Sequence, residues 1–162
     1  VCEPNARGHI PTQRLQTHPD VLIEDYLELR YAENCGAAFG LMRNAPLGAR
    51  QAVFGIAAVV ASLALMWMFV RARGGALFAL SVPFIVAGAV GNFVDRVRYG
   101  YVVDFILFLW KGEPAWPTFN LADTWITIGV VLLLIDGLRE GRREEQAERE
   151  RQQAEAGAKT ES

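Results

Sequence analysis

The strongest constraint on this chain is a run of nineteen residues, AVFGIAAVVASLALMWMFV, which covers 52–70 without a charge. About 20 apolar residues cross a hydrocarbon core as an α-helix. Within lipid every backbone N–H and C=O must be satisfied by the protein itself, so a lone run of this kind is helical. A second uncharged run, ALFALSVPFIVAGAVGNFV, covers 76–94. Its Pro83 is expected to kink the helix, which membrane helices tolerate. A third starts at Phe119 and continues as FNLADTWITIGVVLLLI, giving a span over about 119–138. The expected fold class is an all-α polytopic membrane protein with three visible transmembrane helices.

The rest of the chain is polar and unevenly charged. The net charge of −2 says little, because the charges gather at the C-terminus. Residues 139–162 are rich in Arg, Glu and Gln with no apolar stripe, and read as a solvated cytoplasmic helix that frays into disorder. No basic stripe points to nucleic acid. Residues 1–20 are polar, contain three prolines, and read as an irregular segment. From 21 the chain alternates: Tyr26, Leu27, Leu29 and Tyr31 are interleaved with Glu28 and Arg30, as in a half-buried strand. A small β-element outside the bilayer is therefore expected over about 21–50. Two cysteines (Cys2, Cys35) and two histidines (His9, His18) show no metal-ligand spacing, so the thiols are read as unpaired. A bridge between them would require an oxidising compartment.

Between the second and third runs, YVVDFILFLW at 101–110 is apolar but too short to span, and reads as interfacial or re-entrant. KGEPAWPT then makes a wet loop, and Trp110 and Trp116 suit the headgroup level. Arg71 and Arg73 follow the first run; Arg139, Arg142 and Arg143 follow the third. The positive-inside rule puts both groups in the cytoplasm, which leaves 1–50 and 95–118 outside. Arg96 and Arg98 run against that rule, and so are expected to be kept for contacts.

The chemistry gathers at 91–123, where Asn92, Asp95, Arg96, Asp104, Asn120 and Asp123 stand beside the apolar runs. Acidic residues at such depth are rare and mark polar cavities or sites. Asp104 and Asp123 come from different elements and can face each other. Two close carboxylates share a proton and titrate as a pair. One then takes a proton from water while the other polarises a carbonyl, which is general acid–base peptide hydrolysis. Structural readings stand beside this one. Asp123 near a helix start is favoured by the macrodipole alone, and Asp95 reads as an ion pair with Arg96 in a loop. A proton or ion transporter, or an inactive scaffold, would also carry spans; a transporter prefers its carboxylates near the midplane.

Three blocks resemble a known family. NCGAAFG at 34–40, GNFVDRVRYGYVVDFI at 91–106 and FNLADTWITIG at 119–129 are similar, in order, to motifs of the lipoprotein signal peptidases, signal peptidase II. The resemblance covers about 21–138. It implies an aspartic endopeptidase of the bacterial inner membrane, working at the outer face. The implied substrate is a prolipoprotein whose cysteine carries diacylglycerol, cut on the N-terminal side of that cysteine. It implies Asp104 and Asp123 as the catalytic pair. Asn34, Gly36, Asn92, Asp95, Arg96, Asn120 and Ala122 would shape the pocket, with Arg96 donating to a substrate carbonyl. It implies no metal or cofactor; membrane lipid is the expected surrounding and a monomer the expected state. The family also has a span before the sheet, so a fourth helix is expected upstream of Val1.

Overall fold

The computed structural model describes residues 13–15, 18–35, 46–71 and 75–160. Three helices dominate: α1 (Leu47–Val70), α2 (Ala76–Tyr99) and α3 (Leu121–Thr160). All three are long and apolar enough to cross a membrane. On α1 the side chains of Val53, Ile56, Val60, Leu63, Trp67 and Val70 point away from the protein, as a lipid-facing helix requires. Pro83 sits inside α2 without ending it.

α2 and α3 run against each other along a seam of small residues. A methyl group on Gly129 would stand 2.6 Å from Ile85 Cγ1 and 2.8 Å from the Ser81 carbonyl oxygen. One on Gly88 would run into the Ala122 carbonyl oxygen and stand 2.7 Å from Ile126 Cγ1. Lipid gives helices no hydrophobic reason to associate, so close backbone approach supplies the contact. Ser81 turns its hydroxyl to the Phe78 carbonyl at 2.8 Å and adds no unmet donor to the seam. At the far end the Asp136 carboxylate accepts the Gly75 N–H at 3.1 Å. The start of α2 favours a negative charge there.

The sheet is antiparallel and built on β3 (Leu27–Asn34). One edge of β3 pairs with β1 (Gln13–Leu15) and then β2 (Asp20–Ile23); the other pairs with β4 (Val102–Trp110). β4 returns through Lys111 and Gly112 to β5 (Glu113–Pro114). Both turn residues have positive φ, the geometry of a two-residue hairpin whose twist matches the strands. The pairing of β3 with β4 changes step once. Leu29 faces Ile106 and Ala32 faces Asp104, which leaves Arg30 and Tyr31 opposite a single residue. This bulge shifts β3 by one, so Ala32 and Asn34 share the Asp104 face along with Leu27 and Leu29.

Several expectations are corrected. The 101–110 run, read as an interfacial or re-entrant stretch, forms strand β4 over Val102–Trp110, and its backbone is satisfied by β3 on one side. On the other, Phe105 and Ile106 donate to the Phe119 carbonyl at 3.0 and 2.8 Å. Asp95 and Arg96 are not in a loop, because α2 runs on to Tyr99 and stops at Gly100 in the left-handed conformation. Part of the segment read as irregular is strand β1, and α1 starts at Leu47 inside the stretch assigned to the β-element. α3 continues without a break from the span into the polar tail as far as Thr160, and is exposed over 139–153. Cys35 is not an unpaired thiol; it is buried and disulfide-bonded. Cys2 and Gly36 lie outside the described residues.

The seam gives a direct test. Gly129→Ala should lower the melting temperature in detergent, at a cost of about 1–3 kcal/mol from overpacking. Gly137→Ala, where a methyl meets nothing within 4 Å, should be neutral or slightly stabilising. Equal melting temperatures for the two variants would contradict this packing.

Candidate active site

Asp104 is fully buried on β4. A carboxylate in that position is costly unless hydrogen bonds and countercharge surround it. Asn34, on the same face of the sheet, donates from Nδ2 to Asp104 Oδ2 at 2.9 Å. Asn120, buried just before α3, donates from Nδ2 to Asp104 Oδ1 at 2.8 Å. The bulge in β3 is what brings Asn34 to this face.

Asp123 lies in the first turn of α3. Asn120 Oδ1 accepts the Asp123 N–H at 3.0 Å, and Asp123 Oδ2 accepts the Asn120 N–H at 3.3 Å. That reciprocal pair is a capping box, so the helix-cap reading of Asp123 describes a real contact. It is not the whole role of the residue. Asn92 on α2 donates from Nδ2 to Asp123 Oδ1 at 2.7 Å. Asn92 Oδ1 in turn accepts from Asn120 Nδ2 at 3.1 Å. The two aspartates are therefore joined through Asn120 and Asn92, and all four carboxylate oxygens accept a hydrogen bond from an amide. The amide orientations follow from this pattern, since the Nδ2 groups of Asn34, Asn92 and Asn120 all face oxygens that can only accept.

The remaining candidates divide by role. Arg96, half-buried on α2, donates from Nη1 to the Asn92 carbonyl at 3.1 Å and lies in the electrostatic field of Asp123, Asp104 and Asp95. It is the cation that offsets the carboxylates. Asp95 does not form the expected ion pair with Arg96; adjacent residues on a helix point in different directions. Instead Asp95 Oδ2 accepts the Val103 N–H at 3.1 Å and fixes the end of α2 to the start of β4. Ala122 holds no ligand either. It fits against Gly91, where a methyl would come within 3.2 Å of the Ala122 Cβ, and so lets Asn92 reach Asp123. Among the predicted residues only Gly36 falls outside the described part.

Beside Asp123 lies a groove of about 320 Å³, walled by Phe108, Trp116, Phe119, Thr124, Thr127 and Ile128. Its two threonines turn their hydroxyls to the helix: Thr124 Oγ1 to the Asn120 carbonyl at 3.1 Å, Thr127 Oγ1 to the Asp123 carbonyl at 2.8 Å. Apart from Asp123 the wall is thus apolar in effect. Sequence reasoning passed over Thr124, Thr127 and Ile128. Their signal was spacing, since Thr127 is one helical turn after Asp123 and shares its face.

Two truncations should separate the amides. Asn120→Ala removes donors to Asp104 and Asn92 and the cap of α3, whereas Asn34→Ala removes one donor to Asp104. With about 1–3 kcal/mol for each buried polar group left unsatisfied, Asn120→Ala should melt at the lower temperature. The reverse order would mean that the network is not arranged as described.

Comparison with known proteins gives the family. The family model for signal peptidase (SPase) II matches residues 7–139. The lipoprotein signal peptidase of Syntrophomonas wolfei is 45% identical over 124 residues, covering 76% of each chain. That of Cupriavidus taiwanensis is 41% identical over 121 residues, covering 75% of this chain and 68% of its own. That of Clostridium tetani is 36% identical over 120 residues, covering 74% of each. A solved bacterial membrane enzyme superposes with a TM-score of 0.66 at 31% identity, over 76% of this chain and 73% of its own. With a membrane helix bundle, a sheet that carries a buried aspartate and a family match over most of its length, the chain belongs to the signal peptidase II family.

Proposed function

We propose that this chain is an aspartic endopeptidase that removes the signal peptide from diacylglyceryl-modified prolipoproteins, cutting N-terminal to the lipidated cysteine. The observation that carries this reading is the joining of Asp104 and Asp123, from a strand and a helix, through the one residue Asn120. In this mechanism one carboxylate takes a proton from water, and the water oxygen attacks the scissile carbonyl carbon. The second carboxyl group, protonated, donates to the carbonyl oxygen. The C–N bond then breaks, the amine leaves with a proton returned from the pair, and the signal peptide departs as a carboxylic acid. No covalent bond to the enzyme forms. Asn34, Asn92 and Asn120 hold the two carboxylates in place, and Arg96 offsets their charge. Fixed geometry of this kind lowers the entropic cost of bringing water and peptide together.

The lipid on the substrate supports the same reading. A diacylglyceryl group holds the scissile bond at the bilayer surface, the depth at which α3 begins. The apolar groove beside Asp123 suits an acyl chain or an apolar side chain of the signal peptide. The active site faces the outer side of the inner membrane in this proposal, with the C-terminus in the cytoplasm. Basic residues at the other ends of the helices support that orientation. So does the disulfide at Cys35, which belongs to an oxidising compartment. One chain supplies both aspartates, as a monomer would.

The test is signal-peptide release from a diacylated prolipoprotein by the purified full-length protein in lipid. Asp104→Asn and Asp123→Asn should each lower kcat by at least about a thousandfold. Thermal melting should show that both variants remain folded. Near-normal turnover in either folded variant would remove the dyad mechanism.

A further inference from the structure

Hydrolysis needs water at a carboxylate that is fully buried, and the groove beside Asp123 would be filled by substrate. Resting on the dyad reading, we propose that the hydrolytic water is held on the opposite side of the site. The seat is a small cavity bounded by Asn34, Gln51, Phe54, Arg96, Gly100 and Tyr101, with Asn34 passing the water to Asp104.

The cavity lies where the start of α1, the end of α2 and the end of β3 meet, and its volume is about 10 Å³. That is room for about one water, which needs two to four polar partners. Four of the bounding side chains are polar: an asparagine and a glutamine amide, a guanidinium, and a phenol that also shares a hydrogen bond with the Tyr31 hydroxyl at 2.8 Å. The groove offers the contrast. Among the described residues the two voids share no wall residue. The groove's threonine hydroxyls are committed to helix carbonyls, so apart from the Asp123 carboxylate its wall is apolar and suits substrate.

Asn34 is the link between the cavity and the chemistry. It borders the cavity and donates to Asp104 Oδ2. Water that reaches Asn34 is one side chain from the buried carboxylate. Arg96 takes a different task. It lines the cavity and not the groove, so on this view it orients water instead of a substrate carbonyl. Gln51 keeps the cavity in shape by donating from Nε2 to the Gly100 carbonyl, which ties α1 to the end of α2. The two reactants would then approach the dyad from opposite sides, lipid-borne peptide from one and water from the other.

Phe54 is the residue to change, because it is an apolar wall with no contact to either aspartate among the hydrogen bonds. Phe54→Trp should fill the cavity and lower kcat by about tenfold or more, with KM and the affinity for an uncleavable diacylated peptide unchanged. Phe54→Ala, which widens it, should keep kcat at least about fivefold above that of Phe54→Trp. Wild-type kcat in Phe54→Trp would overturn the proposal. So would equal losses in the two variants, or a loss of kcat matched by loss of peptide affinity. If Phe54→Trp does not fold, Gln51→Leu is read in its place: lowered kcat at unchanged KM supports the water seat, and wild-type kcat overturns it. The dyad is judged separately. An inactive Asp104→Asn beside a fully active Phe54→Trp would reject the water route alone, whereas an active Asp104→Asn would reject the dyad.

Discussion

Most of this structure follows from the need to keep one acidic group buried inside a protein that itself lies in lipid. Asp104 has no contact with solvent, and a bare carboxylate there would neutralise itself or unfold its strand. Two asparagine amides hydrogen-bond the group, and Arg96 adds a nearby positive charge. Each of these groups comes from a different element: the donor Asn34 from β3, the donor Asn120 from the entry to α3, and the countercharge of Arg96 from α2. The bulge, the capped helix and the extended end of α2 can all be understood as what those three deliveries demand. Remove the acidic group, and much of the local geometry loses its reason.

The delivery from α2 needs one more condition, since Asn92 must reach across to Asp123. Helices in lipid come no closer than their side chains allow. Glycine at 88, 91 and 129, with alanine at 122, takes the obstacle away. Asp136, at the opposite end of the seam, holds the start of α2 and so fixes the sliding position of one helix against the other. Ala122 stands between Asn120 and Asp123 in sequence, yet its contribution is the space it leaves.

The membrane character and the two aspartates could be read from the chain, because uncharged length and misplaced charge are both local properties. The strand at 102–110 could not. VVDFILFLW is apolar on both faces, so period-two alternation is hidden, and only pairing with β3 and Phe119 decides its conformation. Asp95 and Arg96 misled for a related reason. They stand next to each other in sequence, but helical geometry sends one to the Val103 N–H and the other to the Asn92 carbonyl. The roles of Asn92 and Asn120 as a bridge were likewise invisible, since nothing in two asparagines 28 positions apart announces a shared hydrogen bond. Motif resemblance marked these positions as relevant without saying what they touch.

The double duty of Asn120 ties catalysis to the mechanics of a helix end. Terminal turns fray more readily than helix interiors. The first turn of α3 carries Asp123 and is capped by Asn120, so opening that turn would also withdraw an amide from Asp104. On the proposed dyad mechanism, competence for chemistry would depend on the integrity of that turn, and deuterium uptake at the Asp123 amide would report how often it opens without any substrate present.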